Sequence, residues 1–165
     1  MGKIFDRNMV IANDAQKVYS TLCTQLDNMK WKYSRNDETC TISTTAVGKD
    51  LTVNLRFYVS EQRKLFYVKS PLPFIVPEAT RDVVGKALHI ANFSMLNGCF
   101  EYNVDTGYVG FKILMPIEGC EVSLAACKYM ILLTCQMVDK FNDKLLAVAK
   151  ELMTLQQFKD FVQKA

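Results

Sequence analysis

At 165 residues, half of them hydrophobic and 22 % charged, the chain can bury a core of its own and is too apolar to remain largely disordered. Its 20 basic and 17 acidic residues leave a formal charge of +3, too balanced to point to nucleic acid or an anionic membrane as the main partner. The longest apolar stretch, residues 129–138, falls well short of the roughly 20 residues that span a bilayer. Residues 1–7 lack the apolar run of a signal peptide. These features predict no membrane insertion and a cytoplasmic location.

Asn13 and Gln16 have the spacing of a capping box. Behind them Ala15, Val18, Tyr19, Leu22, Cys23, Leu26 and Met29 recur at three- and four-residue steps, the period of one helix face. Residues 40–47 are rich in Thr, Ile and Val, as strands prefer, and Gly48-Lys49-Asp50 makes a turn. Leu51, Val53, Leu55, Phe57 and Val59 then alternate with polar or amphipathic residues, the two-residue period of a half-buried strand. After the polar turn Glu61-Gln62-Arg63, residues 64–69 form a third, short strand of an antiparallel meander.

Pro71 and Pro73 are expected to break the sheet, and Pro77 sits where a helix can start. Val84, Leu88, Ala91 and Met95, with Val83, Ala87 and Ile90 beside them, mark that helix, which Asn97-Gly98 stops. Phe100, Tyr102 and Val104 share one side of a strand, Asp105-Thr106-Gly107 turns it, and Val109, Phe111, Ile113 and Met115 continue the buried face up to Pro116. Ser123 is the N-cap of a long helix reaching Lys150, with Val122 and Cys127 as its hydrophobic staple. Residues 154–162, with Leu155, Phe158 and Phe161, add a short helical segment. No linker or repeat interrupts residues 1–165. The expectation is one α+β domain in the order α-β-β-β-α-β-β-α, a single five-stranded antiparallel sheet with helices on one face.

The segment Asn92-Phe93-Ser94-Met95-Leu96-Asn97-Gly98-Cys99-Phe100-Glu101-Tyr102, followed by Asp105-Thr106-Gly107, Val109-Gly110-Phe111-Lys112 and Glu118-Gly119, resembles the YbjN-like bacterial proteins. The shared pattern is an Asn late in a helix, Gly-x-Phe-Glu, a turn ending in Thr-Gly and a Val-x-Phe-Lys strand. Asp139 and Phe141 fall near the place of an acidic-aromatic pair in the last helix, though not adjacent. The likeness covers residues 80–148, and it departs from the pattern before Asn92, where no Arg-rich helix surface occurs, and at Asn142 and Asp143, where Pro is common. It implies a fold similar to that of type III secretion chaperones, small dimeric proteins that bind other polypeptides.

Catalytic signals are sparse. The six cysteines contain no C-x-x-C pair, and His89 is the single histidine, so reduced core cysteines and neither metal nor cofactor are expected. Gly85 and Phe93, not acids, lie one helical turn either side of His89. Asp139 and Asp143 share a helix face, but Lys140 and Lys144 adjoin them and make it a solvated mixed-charge surface. No glycine loop sits at a strand-to-helix junction to hold phosphate. The chain is therefore read as a non-enzymatic protein-binding module, a homodimer or the holder of a protein client.

Its binding surface is placed on the long helix. One stripe there, Ala126, Met130, Leu133, Met137, Phe141 and Val148, is assigned to the sheet. A second, Leu124, Cys127, Ile131, Cys135, Val138 and Leu145, is assigned to a partner. The alternative reading is a nucleic-acid module, in which Arg56, Tyr58, Tyr108 and Lys112 stand on the wet sheet face, diluted by Thr52, Asn54, Glu101 and Asn103.

Overall fold

The computed structural model describes residues 14–164. Helix α1 (Asp14–Asn28) carries the anticipated stripe: Ala15, Val18, Tyr19, Leu22, Cys23 and Leu26 are all buried. Asn13 of the anticipated capping box lies outside the described residues. The helix stops where Lys30 takes a left-handed conformation, φ 58°, and the Trp31 N–H reaches back to the Leu26 carbonyl at 3.0 Å, a Schellman closure.

The sheet has six antiparallel strands, not five: β1 (Tyr33–Asn36), β2 (Thr41–Val47), β3 (Thr52–Ser60), β4 (Leu65–Ile75), β5 (Cys99–Asn103) and β6 (Tyr108–Pro116), in the spatial order β1-β2-β3-β4-β6-β5. The unforeseen strand reads Tyr-Ser-Arg-Asn and is mostly exposed. It shows no apolar alternation because it is an outer strand, held by its ladder to β2 from Tyr33↔Thr44 to Asn36↔Thr41.

Strand β4 also corrects the expectation, since it runs through Pro71 and Pro73 instead of ending before them. Its pairing with β3 ends at Arg56↔Lys69, while pairing with β6 continues to Pro71↔Gly110 and, after an irregularity, to Ile75↔Tyr108. Beyond Lys69 the strand therefore has a neighbour on one side only. A proline there removes no ladder bond on the open side.

A short 3-10 turn (Glu78–Thr80) leads into α2 (Arg81–Phe93), which returns the chain to the far edge of the sheet, so that the β5–β6 hairpin inserts β6 beside β4. The helix ends at Phe93, ahead of Asn97-Gly98. At the hairpin, Gly107 has φ 72°, and a Cβ there would collide with the Val76 carbonyl. That close approach lets the Val76 N–H donate to the Gly107 carbonyl at 2.9 Å and ties the hairpin to the end of β4.

Helix α3 (Leu124–Ala149) begins as anticipated, with the Ser123 hydroxyl accepting from the Ala126 N–H at 3.1 Å. Helix α4 (Leu155–Lys164) opens with a reciprocal box: the Gln157 N–H donates to the Thr154 hydroxyl, and the Thr154 N–H donates to the Gln157 side chain. Helices α1, α2 and α3 pack on the sheet, and α4 packs on α2 and α3. Between the layers, Phe141 makes edge contacts with Phe100 (5.6 Å between centroids) and Phe161 (5.8 Å), and Phe158 lies beside it at 6.2 Å. One aromatic cluster thus fastens α3 to β5 and α4 to α3.

Candidate protein-binding surface

The stripe assigned to a partner is core. Cys127, Ile131, Val138 and Leu145 have no exposed surface, Cys135 is half-buried, and only Leu124 at the helix start is exposed. Helix α3 lies between α1 on one flank and α2 with α4 on the other, above β3, β4 and β6. A helix so placed needs apolar residues around more than half its circumference, and its own chain covers them. The other stripe splits: Met130, Phe141 and Val148 are buried, while Ala126, Leu133 and Met137 are half-buried.

Four of the exposed apolar residues, Phe93, Leu96, Tyr129 and Leu132, lie around the end of α2 and on α3, while Val47, Ile75, Val104 and Leu152 are exposed at other places in the chain. Phe93 is 89 % exposed and Leu96 107 % exposed, at the end of α2 and in the loop after it. The Asn97 side-chain amide lies 3.4 Å from the Tyr129 hydroxyl, which brings the half-exposed Tyr129 of α3 alongside, and the exposed Leu132 follows one turn later. On its other flank Phe93 joins His89, Ile90 and Val162 around a cavity of about 450 Å³ between α2 and α4, with Lys159 at its edge. The result is an apolar surface running from the α2–α4 cleft to the outer face of α3.

Asn92 holds this surface in place. Its carboxamide accepts from the Phe100 N–H at 2.7 Å and donates to the Phe100 carbonyl at 3.0 Å. The side chain thereby occupies the position of a neighbouring strand on edge strand β5. The late-helix Asn and the Gly-x-Phe-Glu segment singled out in the sequence are thus one device, an edge cap that pins the α2 terminus to the sheet. Phe93 had a legible signal: it lies off the face that α2 buries through Val84, Ala87, Leu88 and Ala91.

The remaining candidate residues fall into other roles. His89 is exposed on the rim of the α2–α4 cavity. Asp139 accepts from the Lys49 N–H at 2.6 Å and holds the β2–β3 turn, and Asp143 pairs with Lys144 at 2.8 Å. Among the described residues no group of three or more His, Cys, Asp or Glu is placed to hold a metal, and no helix is long and apolar enough to cross a membrane. The cysteines are free. Burial pushes the Cys127 and Cys135 thiols up to about 11, with the charge of Asp139 adding to the rise at Cys135.

The outer sheet face does bring Arg56, Tyr58, Tyr108 and Lys112 together, and adds two residues of β4 that the sequence reading did not place there. Tyr67 stacks on Tyr58, with centroids 4.8 Å apart and planes 12° from parallel. Lys69 and Lys112 both reach Glu101, at 2.9 Å and 3.3 Å. Burial alone would raise the Glu101 carboxyl, but the hydrogen bonds and charges of the two lysines outweigh it and hold the group below its ordinary range. Tyr108 lies across Gly110, where a Cβ would strike its hydroxyl.

No protein-family model matches the chain, and no curated protein matches it. Among solved structures, it is similar to a chain of the ExsC–ExsE complex, with 12 % identity and a TM-score of 0.55 over 81 % of this chain and 96 % of that one. It is similar to the same degree to YbjN from E. coli, with 12 % identity and a TM-score of 0.55 over 81 % of this chain and 92 % of YbjN. The fold anticipated from residues 80–148 thus extends over most of the chain, and the shared property is an α+β fold with an antiparallel sheet and helices.

Proposed function

We propose that this chain is a non-enzymatic protein-binding module, cytoplasmic and dimeric or client-bound, and that it grips another polypeptide through the surface formed by Phe93, Leu96, Tyr129 and Leu132. The observation that carries the reading is the exposure of two large apolar side chains, Phe93 and Leu96, three residues apart at a pinned helix terminus. Isolated apolar residues on a surface need no explanation, but a contiguous group beside a cleft marks an interaction site. Covering Phe93 and Leu96 alone is worth roughly 3–6 kcal/mol before the cost of association is subtracted. The likeness to a chain found in a two-protein complex supports the same reading, as far as a fold carries function. Six free cysteines fit a reducing compartment.

Light scattering behind a sizing column, combined with binding of a hydrophobic dye, tests this. The expected result is a dimer, or a dye-binding monomer, that loses that property on combined Phe93→Ser and Leu96→Ser substitution with its melting temperature kept. A strict monomer that binds no dye overturns the reading.

A further inference from the structure

Strand register places four wet-face residues opposite one another in a row across the sheet: Ser43 opposite Arg56, Arg56 opposite Lys69, and Lys69 opposite Lys112. Ser34 of β1 extends the row by pairing with Ser43. Like charges directly opposite on neighbouring strands destabilise a sheet, and here three cations occupy three adjacent strands. A single carboxylate, Glu101, answers Lys69 and Lys112. Arg56 is exposed and makes no ion pair among the described residues.

The residues on the β1–β3 side of this row share one chemistry, while Asp37, Glu38 and Glu61 lie on the far side of the tyrosine pair. On the β1–β3 side a shallow groove of about 480 Å³ is lined by Lys32, Ser34, Ser43, Thr45, Asn54 and Arg56, with no carboxylate among its lining residues. On the other side the next row of the same face holds the Tyr58–Tyr67 stack. Five strands spaced roughly 4.8 Å apart give the platform a width on the order of 19 Å. Hydrogen-bond donors and cations on one side, with flat rings in the neighbouring row, match a ligand that carries phosphates and planar bases together.

We infer that the outer face of the sheet binds single-stranded nucleic acid, with Arg56, Lys69 and Lys112 on the phosphates and the tyrosine pair stacking on bases. Three cations and two rings make this a weak, salt-sensitive site. It lies on the side of the sheet away from the helices, so it is independent of the apolar surface around Phe93.

The test is fluorescence anisotropy of a labelled oligouridylate of roughly ten nucleotides at about 25 mM salt, repeated at rising salt. The expected result is saturable micromolar binding whose log affinity falls with log salt at a slope near −2, about 0.7 for each phosphate contact. Arg56→Ala should reduce that slope by about 0.7. Tyr67→Leu should weaken binding roughly 5- to 160-fold, the range for loss of one stacked base, while Tyr67→Phe and Phe93→Ser should bind like the parent. Should Tyr67→Leu fail to fold, Tyr58→Leu and the exposed Arg56→Ala carry the test. Absence of saturation at about 100 µM protein, far above the micromolar affinity expected of such a platform, overturns the inference. So does an Arg56→Ala variant with unchanged affinity and slope. Displacement of the oligonucleotide by polyglutamate at equal charge overturns it too, since the face would then read charge without bases.

Discussion

Replacing Asn92 by alanine removes both partners of the Phe100 backbone at once. In the native protein the N–H and C=O of Phe100 on edge strand β5 are satisfied by the Asn92 carboxamide at 2.7 and 3.0 Å, and the residue is 4 % exposed. Each buried backbone group left without a partner costs about 1–3 kcal/mol. Because β5 is an edge, water can reach one of the two, which sets the expected loss at about 1–3 kcal/mol. For a chain of this length that corresponds to a fall in melting temperature of roughly 2–12 °C. Thermal unfolding followed by circular dichroism reads it directly. Asn92→Asp keeps an acceptor for the Phe100 N–H but sets a carboxylate against the Phe100 carbonyl, so it should not restore the parent stability. An Asn92→Ala variant that melts within about 1 °C of the parent, where the hydrogen-bond cost predicts several degrees, refutes the edge-cap argument.

Three further outcomes follow from other sites. Lys30 and Glu151 hold left-handed conformations (φ 58° and 59°) just past the ends of α1 and α3, so Lys30→Gly and Glu151→Gly should each stabilise the protein by about 0.5–1 kcal/mol, seen as a higher denaturant midpoint at unchanged m-value. Glu101 has a depressed folded-state pKa; its contribution is present above the ordinary carboxylate range and disappears as pH falls through that lowered value. Glu101→Gln should therefore be less stable at neutral pH and show a shallower loss of stability on acidification than the parent. Titration with a thiol reagent at about pH 8 should modify exposed Cys120 in the native state and Cys127, buried and raised to about 11, only after unfolding; prompt native-state labelling of Cys127 would contradict its place on the buried side of α3.

Wherever the periodicity belonged to an element with one dry face, the sequence was a sufficient guide. The stripe of α1, the alternation from Val53 to Val59 and the Ser123 cap all appear as read. The candidate site was far less legible. Leu124, Cys127, Ile131, Cys135, Val138 and Leu145 were recognisable as an apolar stripe, but an apolar stripe looks the same whether it faces a partner or the chain's own helices. Phe93 and Leu96 were not singled out, since exposure at or beyond a helix end leaves no periodicity, and Tyr67 and Lys69 belong to a strand whose face was not assigned before its pairing with Tyr58 and Arg56 was known.

What the sequence by itself determined is the local grammar: the helices, most of the strands, the turns at Gly48 and Gly107, and the α+β class, because these depend on residue type and spacing within about a dozen positions. Only the tertiary structure decided which surfaces stay open. It placed β1 as an outer strand through pairing alone, let β4 continue through Pro71 and Pro73 because its pairing with β3 stops at Lys69, and buried both flanks of α3 between α1 and the α2–α4 pair. Exposure is set by neighbours distant in the chain, and those neighbours leave Phe93, Leu96 and the cation row of the sheet facing water.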